Sequence, residues 1–242
     1  MLRIGTSGWQ YADWRGRFYP AGVPQRSWLA HLAGRFPTVE VNSAFYRLPE
    51  RSTFEGWAAQ TPADFVFAVK VSRYLTHVRR LRDPAEPVAR FLERASGLGD
   101  KLGPVLLQLP PNLRADAVLL DEALQRFPAG FRVVVEPRHA SWWRPEIEGV
   151  LAGRGAALCW ADRGGRPVTP LWRTADFAYL RMHAGLASPA PRYGVRAIDT
   201  WLERLRPYGE RDGYVYFNND QGGAAVADAA VMAHRGGQSW TP

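Results

Sequence analysis

Seven short apolar runs in this 242-residue chain finish in a side chain able to bind or move a charge. Glu40 and Asn42 lie in the run 38–43, Lys70 ends 65–70, Gln108 falls at the end of 104–109, and Glu136 ends 131–136 with Arg138 two residues on. Asp162 ends 156–162, Arg181 and His183 close 177–183, and Asn218 ends 214–218. A carboxylate among apolar neighbours must find a cation or become neutral. Lys70, Arg138 and Arg181 are the cations on offer. Lys70 is informative because the chain has only one other lysine, Lys101, among 31 basic residues. A lysine in such a setting supplies a compact charge or an amine that can lose its proton. Its roles are anion binding, acid–base work, Schiff-base formation or, more blandly, an ion pair with Glu40. Arg181 and His183 share a strand face, which suits joint contact with a phosphate or carboxylate and proton transfer near neutral pH.

Lys70, Glu136, His183 and Glu40 are therefore the candidate catalytic residues. Asn42, Gln108, Arg138, Asp162, Arg181, Asn218, Tyr11 and Trp142 are the candidate substrate-binding ones. Glu136, Asp162 and His183 offer oxygen and nitrogen ligands for a divalent metal, though no local metal motif frames them. Glu40 and Glu136 offer a glycosidase pair if they face each other at ~5–9.5 Å. Trp9, Trp14, Trp142 and Trp143 would then stack on sugar rings or bases, or simply pack the loops.

The elements that must carry these residues alternate strand and helix. Strands are expected at 2–7 and at the seven runs above. Helices are expected near 28–34, 54–60, 87–97, 116–127, 145–153, 198–208 and 223–234. Eight such units in this length indicate a single (β/α)₈ TIM-type barrel over 1–235, followed by a disordered tail at 236–242. A doubly wound open sheet is the alternative. The irregular connection is 163–175, between strands six and seven, where prolines and paired glycines replace a helical pattern. Alternation along a strand places Glu40 with Asn42, Lys70 with Ala68, Glu136 with Val134, Asp162 with Trp160, Arg181 with Tyr179, and Asn218 with Tyr216. All would gather at the strands' C-terminal ends, where barrel active sites lie; the opposite ends show no comparable set.

Composition narrows the setting. Hydrophobic residues make up 46% and charged residues 22%, an ordinary globular balance. The lone Cys159 cannot form an internal disulfide. With no apolar leader and no membrane-length apolar run, a cytoplasmic protein is expected. The net charge of +8 suggests anionic partners, a small phosphate-bearing ligand or nucleic acid. It is carried almost wholly by arginine in an Ala- and Gly-rich chain, which genome composition also explains. No Walker, GxGxxG, HExxH or GxSxG motif is present.

Several blocks resemble one family in order. Gly5-Thr-Ser-Gly-Trp9-Gln-Tyr11-Ala-Asp-Trp14, Glu40-Val-Asn42-Ser-Ala-Phe45-Tyr46-Arg47-Leu-Pro49 and Phe67-Ala-Val-Lys70 with Thr76-His77 are similar to the YecE-like proteins, domain of unknown function 72. So are Leu102-Gly-Pro-Val-Leu-Leu-Gln108-Leu-Pro110-Pro111, Glu136-Pro-Arg138-His139-Ala-Ser-Trp142, Arg181-Met-His183 and Tyr216-Phe-Asn218-Asn219-Asp220. The resemblance spans almost the whole chain and implies a TIM barrel but no activity. Two positions depart from it: Ala184 separates His183 from Gly185, and Asp228 stands where an asparagine is usual.

The expectation is an enzyme of hydrolase or lyase type acting on a phosphate-bearing substrate, with a nucleic-acid phosphodiester within that class. A carboxylate-pair carbohydrate enzyme and a non-catalytic anion-binding module are the alternatives.

Overall fold

The computed structural model describes residues 1–208 and 212–237. Ten strands form one sheet: β1 Leu2–Ser7, β2 Thr38–Val41, β3 Val66–Lys70, β4 Leu102–Gln108, β5 Val133–Glu136, β6 Ala157–Leu158, β7 Trp160–Arg163, β8 Arg166–Pro167, β9 Ala178–Met182 and β10 Gly213–Phe217. The hydrogen-bonded order is β6-β5-β4-β3-β2-β1-β10-β9-β7-β8. Every pairing is parallel except β7 with β8. β6 and β7 are halves of one extended segment, split at Cys159, whose N–H reaches the Val135 carbonyl at 2.8 Å. The first half pairs with β5 and the second with β9, so the sheet curls back on itself. This is the expected TIM-type α/β architecture with one irregular unit.

Helices cover the outside: α1 Trp28–Ala33, α2 Ser43–Tyr46, α3 Arg51–Ala59, α4 Ala85–Ala95, α5 Ala117–Leu124, α6 Pro145–Gly153, α7 Val195–Leu205 and α8 Ala224–Arg235. In α4, Val88, Phe91 and Ala95 fall at helical spacing and are buried, while Glu86, Arg90 and Glu93 are not. Asp116 caps α5 by accepting the Leu119 N–H at 3.0 Å. Between β7 and β9 no helix forms. The antiparallel β7–β8 hairpin takes its place, turning through Gly164 and Gly165 at φ +69° and +75°, where a side chain would be strained. The tail expectation falls largely on residues outside those described; within them, the Gly236 N–H still bonds the Met232 carbonyl at 2.9 Å.

Two apolar layers result. The larger lies between sheet and helices and includes Val39, Val41, Leu107, Val135 and Leu180. The smaller fills the barrel with Ala68, Leu106, Val134, Ala157, Cys159, Phe177, Tyr179, Tyr214 and Tyr216. The inward residues follow the expected alternation except on strand six. There Ala157 and Cys159 point inward, and Trp160 and Asp162 turn to the helix layer. The small residues are the inward ones, and the Trp160 indole packs on the helix side against Trp201 and Tyr208.

The strands' N-terminal ends also differ from expectation. Asp212 meets Arg3 at 2.9 Å and Arg132 at 2.7 Å, so this floor carries an ion cluster of its own. Arg3 and Arg132 fall in the expected strands 2–7 and 131–136, but Asp212, the acid that joins them, falls outside every expected strand.

Candidate functional site

Above the inner apolar layer the strand ends supply a layer of charge. Arg181, from β9, lies at its centre and is 2% exposed. Its Nε and Nη2 donate to Glu40 at 3.0 and 2.9 Å, and its Nη1 donates to Glu136 at 2.8 Å. Glu40 also accepts from the Ser7 hydroxyl and, at 2.6 Å, from the Tyr179 hydroxyl. Glu136 accepts from His183 Nε2 at 3.0 Å, Arg138 Nη2 at 3.3 Å and Gln108 Nε2 at 2.7 Å. Both carboxylates are thus fully hydrogen-bonded, the condition for keeping a charge in the interior.

Their titration follows. Burial alone would raise both carboxyls, but Arg181 and the donors around each hold Glu40 below, and Glu136 well below, the usual range. The same ion pairs, against the opposing effect of burial, hold the Arg181 guanidinium charged. Burial, reinforced by Glu40, pushes the Tyr179 phenol well up. Cys159 remains a thiol for the same reason, with Glu136 adding to the effect of burial.

From Glu136 the network runs two ways. Gln108 accepts from Lys70 Nζ at 2.8 Å, and that ammonium lies 3.8 Å from the centre of the Phe45 ring. Burial, then the Arg181 charge, lowers Lys70 to about 8. In the other direction His183 meets Asn218, Nδ1 to Nδ2, at 3.0 Å. Because Nε2 must donate to an ionised carboxylate, Nδ1 is the basic nitrogen of the neutral ring. Glu136 and His183 line a cavity of ≈ 330 Å³ whose other charged walls are Arg138 and Arg163, with Trp143 and Thr169 beside them.

Ten of the twelve sequence candidates belong to this end of the barrel. Asn42 donates to Ser7 Oγ at 2.6 Å, and Tyr11 donates to the Ser7 carbonyl at 2.5 Å. Two candidates lie elsewhere. Asp162 is held under α7 by Trp201 Nε1 at 2.7 Å and by the Tyr193 hydroxyl at 2.8 Å. Trp142 is buried in the loops, its indole N–H on the Leu113 carbonyl at 2.8 Å. The metal set of Glu136, Asp162 and His183 is therefore not assembled. Among the described residues no three His, Cys, Asp or Glu side chains group so as to hold an ion.

Roles shift too. Glu40 has no exposed surface, and both its oxygens are engaged by Arg181, Ser7 and Tyr179. Arg181 spends its guanidinium on the two carboxylates, not on an incoming anion. The two carboxylates of the glycosidase alternative, Glu40 and Glu136, are both engaged by Arg181. Lys70 bonds Gln108, and the blander alternative of an ion pair with Glu40 does not form.

Ser7 was missed, although it ends its strand in the same polar manner as the others. Phe45 could not be found, because 43–46 is helical rather than the end of a strand. The departure at Asp228 anchors the loop after β9. Its carboxylate accepts from Arg192 Nε at 2.5 Å, the Tyr193 N–H at 2.8 Å and Asn219 Nδ2 at 2.8 Å.

Fold and site together define a TIM-type α/β barrel with a buried carboxylate–arginine layer under an arginine-edged mouth. A family profile described as "Protein of unknown function DUF72" matches residues 3–241, and the chain belongs to that family. It is similar to YecE of Escherichia coli K12, with 30% identity over 64% of this chain; the match spans 55% of YecE, about half its length. YunF of Bacillus subtilis is 24% identical over 96% of this chain and 93% of its own. Among solved structures, a Thermotoga maritima DUF72 protein superposes with TM-score 0.85 at 27% identity, covering 97% of this chain and 98% of that one. A xylose isomerase-like TIM barrel/4-hydroxyphenylpyruvate dioxygenase fusion protein superposes at 0.50 and 14% identity over 85% of this chain and 38% of its own. It shares the fold alone. No helix among the described residues is long and apolar enough to cross a membrane.

Proposed function

We propose that the mouth is the active site of an acid–base enzyme acting on a phosphate-bearing substrate, of hydrolase or lyase type. The observation that carries this is the Glu136–His183 pair opening on a cavity whose remaining charged walls are both arginines. Arg138, 39% exposed, and Arg163 bind the phosphate oxygens. His183 exchanges the proton at Nδ1, and Asn218 must yield or turn its amide as it does so. Glu136 acts through His183, fixing its tautomer and stabilising its protonated form, as an acid–base imidazole requires. Glu40 and Ser7 hold Arg181, Tyr179 holds Glu40, and Arg181 holds Glu136. The exposed Arg47 and Arg73 follow β2 and β3 at the same end and extend the positive field, which also suits a nucleic-acid phosphodiester.

The test has two parts. Titration with inorganic phosphate should shift the His183 ring resonances, and Arg138→Gln should remove the shift. A chromogenic phosphodiester should turn over slowly, and His183→Gln should abolish turnover in a protein that still melts cooperatively. Phosphate binding with no turnover on any ester would leave an anion-binding module instead. If an oligonucleotide binds, its affinity should fall steeply with salt; salt-independent affinity would count against the polymer as substrate.

A further inference from the structure

Proton transfer at His183 leaves the setting of Lys70 unexplained. Arg181 bonds both buried carboxylates and Arg138 bonds Glu136 as well, so each carboxylate has a guanidinium partner, and Lys70 bonds neither. The chain's two lysines are held in opposite ways. Lys101 Nζ donates to the Ala58 carbonyl at 2.6 Å, the Thr61 carbonyl at 2.7 Å and the Thr61 hydroxyl at 3.1 Å, which uses all three N–H groups of an ammonium. Lys70, 7% exposed at the C-terminal end of β3, has one hydrogen-bond partner, the uncharged Gln108 carbonyl, and the face of Phe45. The ring face gives the ammonium a cation–π contact but no hydrogen bond, so two of its three N–H groups have no acceptor among the described residues. Gln108 in turn donates to Glu136 at 2.7 Å, so one side chain separates the amine from the Glu136–His183 pair and its cavity. Burial accordingly brings Lys70 to about 8, close enough to neutrality for a useful fraction of free amine.

We infer that Lys70 is a carbonyl-reactive amine, forming an imine with a small phosphorylated aldehyde or ketone whose phosphate rests on Arg138 and Arg163. This rests on the phosphate reading above and adds a covalent step to it. The Nζ lone pair adds to the carbonyl carbon. The carbon–oxygen bond then breaks, and the oxygen leaves as water with the two amine protons, leaving a carbon–nitrogen double bond. Nothing is oxidised or reduced.

The probe is pyridoxal 5′-phosphate, an aldehyde carrying a phosphate. The full chain is incubated with it at pH 8, reduced with borohydride, digested, and mapped by mass spectrometry. Lys70 should be labelled at least about tenfold faster than Lys101. Millimolar inorganic phosphate should suppress the label, and Arg138→Gln should slow it. Both lysines are read in one wild-type sample, so the result does not depend on a Lys70 variant folding. Labelling of Lys101 as fast as Lys70, no label on Lys70, or a Lys70 label indifferent to phosphate would each overturn the inference. Failure of the phosphate reading appears separately, as absence of the His183 shift in unlabelled protein.

Discussion

The two ends of the barrel each hold acidic side chains against arginines, yet they answer to different physics. At the floor, Asp212 is 24% exposed and shares Arg3 and Arg132, exposed by 22% and 37%. Water takes up whatever hydrogen bonding the protein leaves there, and the pairs can be loose. At the mouth, Glu136 and Arg181 are each 2% exposed, and Glu40 is fully buried. No water is on hand to repair a mismatch, so every lone pair is matched to a donor. That demand fixes His183 and Gln108 in place, and through them the edge of the cavity and the Lys70 amine. Burial turns an ion cluster into a positioning device.

The largest way to break this comparison is Arg181→Met. It removes the guanidinium that both carboxylates share, leaving Glu40 without a bonded cation and Glu136 with only the half-exposed Arg138, and stability should fall by about 3–5 kcal/mol, read from the urea midpoint at constant slope. A loss below about 1 kcal/mol would place the mouth in the same class as the floor. Acid titration sharpens the contrast. The folded-state pKa of Glu136 lies well below its unfolded value, so its ionisation favours folding above that unfolded value. The contribution is lost as pH falls through the folded pKa. Glu136→Gln should therefore cost about 2 kcal/mol at pH 7. Its gap to wild type should close only under strongly acidic conditions. A gap constant across the acid range would mean that the charge of Glu136 contributes nothing.

How much of this was legible without coordinates divides along the same line. Strand alternation brought Glu40, Lys70, Gln108, Glu136, Arg181 and His183 to one end, because a two-residue period survives in every unbroken strand. It failed at Asp162, where the same period holds in the opposite phase: Ala157 and Cys159 face inward, and Leu158, Trp160 and Asp162 face the helix layer. It also could not say which of three cations would serve two carboxylates. That choice depends on reach across the barrel, from β9 to both β2 and β5, and reach has no sequence period. The floor cluster escaped because its acid, Asp212, lies in the lead-in to β10, where no alternation marks direction. The family resemblance was legible in ordered blocks, and residues 3–241 do match the family.

A smaller effect separates positioning from contact within the mouth. Arg138 is half in solvent and makes only a long 3.3 Å bond to Glu136. Arg138→Gln should leave stability within about 0.5 kcal/mol. It should nevertheless weaken inorganic phosphate about tenfold, through loss of a charge-assisted contact. A destabilisation matching that of Glu136→Gln would make Arg138 another strut of the buried layer.

The smallest expected effect lies at the floor and tests the comparison from its other side. Asp212→Asn removes the acid shared by Arg3, Arg132 and the N-terminal amine. If solvent governs that end, the cost should stay near or below about 1 kcal/mol at low salt and shrink further at molar salt, where the screening length falls to ~3 Å. Thermal melts at two ionic strengths measure both. The mouth variants should show no such salt dependence, because mobile ions cannot enter a layer that excludes water. A floor loss as large and as salt-resistant as that of Arg181→Met would mean that exposure is the wrong variable. The strength of both clusters would then trace to the barrel's strand geometry, which they share.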